Sequence, residues 1–134
     1  HATSMRDWLL SQSPEQIAES QNNSIARLAK TETVRPALVD AAIHSDSKTV
    51  ADAVYELMIT DLRPELGRIK APIEIVYAYD PLFGIPAASV DTMYRQAYAS
   101  APDIHFTRID NSFHFVMLDQ PEEFSKAVES FLNK

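Results

Sequence analysis

The sequence contains no cysteine, so it holds no disulfide frame, no thiolate metal site and no cysteine nucleophile. Glycine is almost as scarce, with Gly67 and Gly84 the only two in 134 residues. Phosphate loops and nucleophile turns need several glycines close together, because glycine alone lets the backbone approach a ligand or turn that sharply. No G-x-G-x-x-G, no G-x-x-x-x-G-K and no G-x-S-x-G occurs, which excludes a dinucleotide fingerprint, a Walker loop and a nucleophile elbow within these residues. Positive charge is in deficit: 12 Lys and Arg against 19 Asp and Glu give a net charge of −7, and the pI is near 4.9. There is no basic patch for a phosphate backbone and no polybasic run for a membrane surface, so neither nucleic acid nor membrane is an expected partner. Long apolar runs are missing as well. The opening HATSMRDWLL is broken by Arg6 and Asp7, and no stretch is long enough for a signal core or a membrane span. Localisation stays open between cytoplasmic and exported, because absence of cysteine suits either compartment.

What is present is the composition of one globular domain, 46% hydrophobic and 23% charged, long enough to bury a core. The pattern changes near residue 62. Residues 1–61 carry helical periodicity only. SPEQIAESQNNSIARLAK begins with Ser13 as a cap, Pro14 in the first turn and Gln16 three positions after the cap, a capping-box arrangement. PALVDAAIH reads as a short helix, and SKTVADAVYELMIT sets Val50, Ala53, Val54, Leu57 and Met58 on one helical face. Met5, Trp8 and Leu9 lie on an amphipathic stretch that either packs or lines an acyl pocket.

Residues 62–134 read as an α/β unit. DLRPELGRIKAP leads into IEIVYAY, an apolar and aromatic run that predicts a strand buried on both faces. The loop DPLFGIP and the helix ASVDTMYRQAYAS follow, then a second strand, IHFTRI, and a last helix, PEEFSKAVESFL. The order strand, helix, strand, helix implies a parallel βαβα unit, whose post-strand loops emerge at the same sheet edge. Asp80 sits in the first such loop and His114 in the second. A carboxylate at that edge can orient an imidazole and favour its charged form, the support a general-base histidine requires. His114, between Phe113 and Phe115, has a competing reading as a packed core histidine. Asp80, before Pro81, has one as a turn residue. The rival acids Asp103 and Asp110 sit where a solvated turn explains them. His105 reads as a packed or edge residue, His44 as part of a helix end, and Tyr94 and Tyr98 as packing. No H-x-H or H-x-x-x-H pair occurs, so no metal site is expected.

From about Asp61 to Leu132 the sequence resembles the C-terminal half of the α/β-hydrolase superfamily. IKAPIEIVYAYD follows the pattern in which an I-x-x-P linker leads into the strand that ends on the acid of a catalytic triad, here Asp80. HFVMLDQPEEF resembles the loop that carries the catalytic histidine, here His114, followed by an acidic residue and a Q-P-E-x-F helix start. Where members usually carry glycines, this chain has Tyr77 and Phe113. The helices of residues 1–61 resemble the lid inserted before the acid strand. The resemblance implies the C-terminal portion of an α/β-hydrolase fold, lid helices followed by the parallel βαβα unit, and an enzyme acting on ester, amide or similar acyl bonds of a small apolar compound. It implies a nucleophile and oxyanion loop upstream of these residues, with no organic cofactor. The expected partner is the N-terminal half of the same hydrolase or a second copy of the chain, and the chain by itself is expected to be inactive. The alternative is a non-catalytic, hydrolase-like binding or interaction module.

Overall fold

The computed structural model of the chain describes residues 1–134. They divide into two compact units, residues 1–26 with 32–61, and residues 27–31 with 62–134. The first unit is helical throughout. Its elements are α1 (Ala2–Ser11), α2 (Pro14–Leu28, whose last two residues belong to the second unit), a 3-10 turn at Glu32–Val34, α3 (Arg35–His44) and α4 (Ser47–Ile59). Local chemistry sets the starts. Ser13 and Gln16 form the reciprocal capping pair, the Ser13 N–H donating to Gln16 Oε1 at 2.8 Å and the Gln16 N–H to Ser13 Oγ at 3.2 Å. Asp46 caps α4 by accepting the Thr49 N–H at 2.8 Å. No strand lies within residues 14–60, in line with the helical periodicity there. HATSMRDWLL, read as an amphipathic helix around Met5, Trp8 and Leu9, forms α1 from Ala2 onward. It is held on α4 by the Arg6–Asp52 pair at 2.8 Å, with the Arg6 guanidinium 5.7 Å from the centre of the Tyr55 ring. Ile25, Val39 and Ala51 are the buried apolar side chains of this unit.

The second unit opens with a 3-10 stretch (Arg63–Arg68) and then runs β1 (Ile73–Tyr79), a 3-10 turn (Pro81–Phe83), α5 (Ala87–Ala97), β2 (Ile104–Asp110), α6 (Val116–Asp119) and α7 (Pro121–Leu132). The strands pair in parallel, in a register that runs from Ile73 beside Ile104 to Tyr79 beside Asp110. Alternation along the strands separates two faces. On one, Tyr77 stacks on Tyr94 of α5 with ring centres 4.3 Å apart, and its hydroxyl donates to Asp91 of the same helix at 2.5 Å. Arg108 reaches the other oxygen of Asp91 at 2.8 Å and holds Asp110 at 2.8 Å. Burial, reinforced by the Asp91 carboxylate, pushes the Tyr77 phenol up to about 12. On the opposite face Thr107 donates to Glu74, and α7 packs across both strands. The core of the unit comprises Ala29, Tyr77, Val90, Ala101, Ile109, Val116 and Ala127.

One expectation fails. IEIVYAY was expected to be buried on both faces, but only Tyr77 is; the rest of β1 is half-buried. The sheet has two strands, so β1 has a neighbour along one edge alone, and one helix per face cannot cover it fully. Ile109→Ala should destabilise the chain by about 2–5 kcal/mol through loss of buried volume. Tyr77→Phe should cost about 1 kcal/mol through loss of its bond to Asp91. Urea unfolding followed by circular dichroism measures both, and a neutral Ile109→Ala would contradict this core.

Candidate active site

The carboxyl ends of β1 and β2 lie side by side because their register ends on Tyr79 and Asp110. Both post-strand loops therefore leave from one edge, and the backbone joins them there, the Ser112 N–H donating to the Tyr79 carbonyl at 3.3 Å. Asp80 immediately follows β1. Its Oδ1 accepts the Leu82 N–H at 2.9 Å and caps the 3-10 turn, which closes on Gly84. Gly84 has φ +76°, a left-handed conformation that a side chain would strain. After β2 the reversal falls on Asn111, with φ 57°, a residue whose short polar side chain tolerates that region. Its carbonyl accepts from Gln120 Nε2 at 3.0 Å. Ser112, fully buried, then leads to Phe113 and His114.

The loops also meet through side chains, Phe83 and Phe113 having ring centres 5.9 Å apart. The His114 ring is exposed, set edge-on to Phe115 at 5.2 Å. It lines a cavity of about 220 Å3 with Arg27, Phe83, Tyr94 and the Val76–Ala78 stretch. His114 is thus exposed, not a histidine packed into the core. A larger cavity of about 550 Å3, between β2 and α7, contains neither Asp80 nor His114.

Asp80 is only 1% exposed, and its Oδ2 accepts a bond from Lys30 Nζ at 2.6 Å. No hydrogen bond joins Asp80 to His114; the two are brought to one edge without being paired. Burial alone would raise the Asp80 pKa, but the Lys30 ammonium and the Leu82 N–H outweigh it and hold the carboxyl below its ordinary value. Asp119, at the end of α6, accepts three backbone N–H groups, from Lys30 at 2.9 Å, Thr31 at 2.9 Å and Phe113 at 2.8 Å. Burial again raises its pKa and these bonds overcome the effect, so Asp119 is also held below the ordinary range. Of the rival acids, Asp110 pairs with Arg108 at 2.8 Å, and Asp103 lies exposed, 3.9 Å from His105 Nδ1. Tyr94, half-buried, stacks on Tyr77 as expected of a packing residue. No group of three or more His, Asp or Glu side chains has a metal-binding arrangement, and no helix is long and apolar enough to cross a membrane.

Lys30 was not foreseen from the sequence, since nothing in LAKTET marks a lysine that reaches an aspartate 50 positions on. Asp119 was visible as the acidic residue of HFVMLDQPEEF, but its three amide partners were not.

No protein-family model matches the sequence, and no curated protein matches it. Solved structures do. The enol-lactonase from Burkholderia xenovorans superposes with a TM-score of 0.76 at 16% identity, covering 98% of this chain and 50% of that one. The bromoperoxidase from Bacillus anthracis superposes with a TM-score of 0.73 at 18% identity, covering 99% and 48%. Both have the α/β-hydrolase fold. This chain has part of that fold. The chain spans about half the length of the α/β hydrolases it matches, and its mostly helical structure with a two-stranded parallel sheet corresponds to a fragment of that architecture.

A carboxylate whose pKa is depressed on folding contributes stability that is complete above its unfolded value, here about 3.8, and lost as the pH falls through the lower folded value. Lys30→Met leaves Asp80 buried with the Leu82 N–H alone, and should cost about 1–3 kcal/mol near pH 7. The penalty should shrink as the pH falls toward the depressed folded value of Asp80 and the carboxyl becomes protonated. Urea midpoints of both proteins between pH 7 and about pH 3 test this, and a pH-independent difference would contradict the Lys30–Asp80 pair.

Proposed function

We propose that this chain is the C-terminal half of an α/β-hydrolase acting on ester, amide or similar acyl bonds of a small apolar compound. His114 takes the proton of a nucleophile supplied by the residues that precede the lid in the complete enzyme, and later returns it to the leaving group. Asp80 orients the imidazole and stabilises its cation. The helices of residues 1–61 act as the lid, and residues 62–134 as part of the core. The observation that carries this reading is the departure of Asp80 and His114 from the adjacent ends of two parallel strands, Tyr79 and Asp110. Support comes also from the exposed His114 ring beside a cavity and from the fold shared with an enol-lactonase. Asp80 would have to exchange Lys30 for His114 when the nucleophile-bearing half is in place.

The partner in this reading is that N-terminal half, added alongside the edge of β1 that β2 leaves unpaired. Unpaired strand N–H and C=O groups template such an addition, and a second copy of the chain is the competing occupant. One observation favours a different reading, a non-catalytic binding module: the Asp80 carboxylate is already satisfied by Lys30 and Leu82.

A p-nitrophenyl ester assay on the chain alone, and on it combined with its N-terminal half, separates these readings. The chain alone should be inert, because it lacks the nucleophile and the oxyanion donors. The combined enzyme should turn over, and His114→Ala should lower kcat by roughly 10⁴-fold. Turnover indifferent to His114→Ala, or none in the combined protein, would favour the binding module. Light scattering should show the isolated chain associating, and a clean monomer would contradict the open-edge partner.

A further inference from the structure

Asp119 receives more hydrogen bonds than its position requires. It ends α6, which is only four residues long, yet its two oxygens take three backbone N–H groups from two segments. Phe113, directly before His114, donates at 2.8 Å and Lys30 at 2.9 Å to Oδ2, while Thr31 donates at 2.9 Å to Oδ1. Lys30 lies 89 positions before Asp119. On the other side of His114, the Phe115 N–H donates to the Leu28 carbonyl at 3.0 Å. The amides flanking His114 are therefore both tied down, one on Asp119 and one on the segment that Asp119 holds. The same Lys30 whose N–H sits on Asp119 places its ammonium on Asp80 at 2.6 Å. Three amide donors converging on one ionised acceptor form charge-assisted bonds, stronger than neutral ones, and they fix backbone where a single neutral bond would not.

We propose that Asp119 is a positioning residue for His114: by holding the N–H groups of Phe113, Lys30 and Thr31 it fixes the backbone that carries the imidazole, and through Lys30 it sets the cation beside Asp80. This rests on His114 being the general base of the proposed hydrolase. Of the charged residues around it, Asp80 opposes Asp119 with a like charge, and Lys30 meets it through the backbone N–H. An anion so placed must stay ionised, and its pKa, held below the ordinary range against the cost of burial, agrees with that. A general base displaced by a small distance loses most of its rate advantage while substrate binding is spared.

The test compares Asp119→Asn, which keeps the volume and removes the charge, with Asp119→Ala and Asp119→Glu in the full 134-residue chain. Amide exchange at Phe113, Lys30 and Thr31 should accelerate roughly tenfold or more in the first two variants, with the amides of β1 and β2 unchanged. The NMR signals of the His114 ring should move or broaden as its backbone loosens, and Asp119→Glu should restore part of both effects. In the combined enzyme, Asp119→Asn should lower kcat roughly 100-fold at nearly constant KM. If a variant does not fold, the wild-type chain answers alone: protection of those three amides should disappear together as the pH falls through the depressed value of Asp119, before that of the strands. Unchanged exchange at the three amides, acceleration spread evenly over β1 and β2, or His114 ring signals that superimpose on wild type would each overturn the proposal. Turnover indifferent to His114→Ala would instead remove the hydrolase reading, while the exchange and the ring signals still judge the clamp.

Discussion

The parallel pairing of β1 and β2 is the constraint from which the rest of the α/β unit follows. Parallel neighbours cannot be joined by a tight turn, so the chain must leave the sheet and return to the same end. Here α5 makes that crossing, and the Tyr77–Tyr94 stack and the Tyr77–Asp91 bond lock it to one face of the sheet. With the register ending on Tyr79 and Asp110, two segments 30 or so residues apart have no choice but to leave from one edge. Asp80 and His114 follow the same edge of the sheet for this reason.

At that edge the balance between burial and charge decides the rest. A carboxylate that is 1% exposed cannot remain ionised without partners. Asp80 has an ammonium and an amide, and Asp119 has three amides. In both cases burial is the largest single influence and is overcome by the sum of the bonds. The short segment Arg27–Thr31 supplies most of these donors, which explains why it clusters with the α/β unit and not with the helices on either side of it in sequence. The loops after the strands owe their shape to this segment as much as to their own turn residues, Gly84 and Asn111.

Much of the architecture was legible because it depends on near neighbours in sequence. IEIVYAY became Ile73–Tyr79, IHFTRI became β2 with one residue more, and PEEFSKAVESFL became Pro121–Leu132. Ser13 and Gln16 formed the capping pair their spacing predicts. Period, caps and turn residues act over a few positions, and nothing distant overrode them. The parallel order and the shared edge could be derived as well, since chain connectivity forces them. The exposure of β1 could not, because an apolar run records what a strand is suited to pack against and not how many neighbours it has.

The sequence by itself determined the element order, the βαβα connectivity and the placing of Asp80 and His114 after consecutive strands. All of these follow from local periodicity and the geometry of parallel pairing. Only the tertiary structure decided what those residues touch. That Asp80 pairs with Lys30, that Asp119 gathers amides from positions 30, 31 and 113, and that the His114 ring stays open beside a cavity depend mostly on contacts between distant positions, 50 apart for Lys30 with Asp80 and 89 apart for Lys30 with Asp119. A hydrogen bond is decided by tenths of an ångström and by orientation. Spacing along the chain carries no such information, so the partners of a charged side chain appear only when the backbone has folded around it.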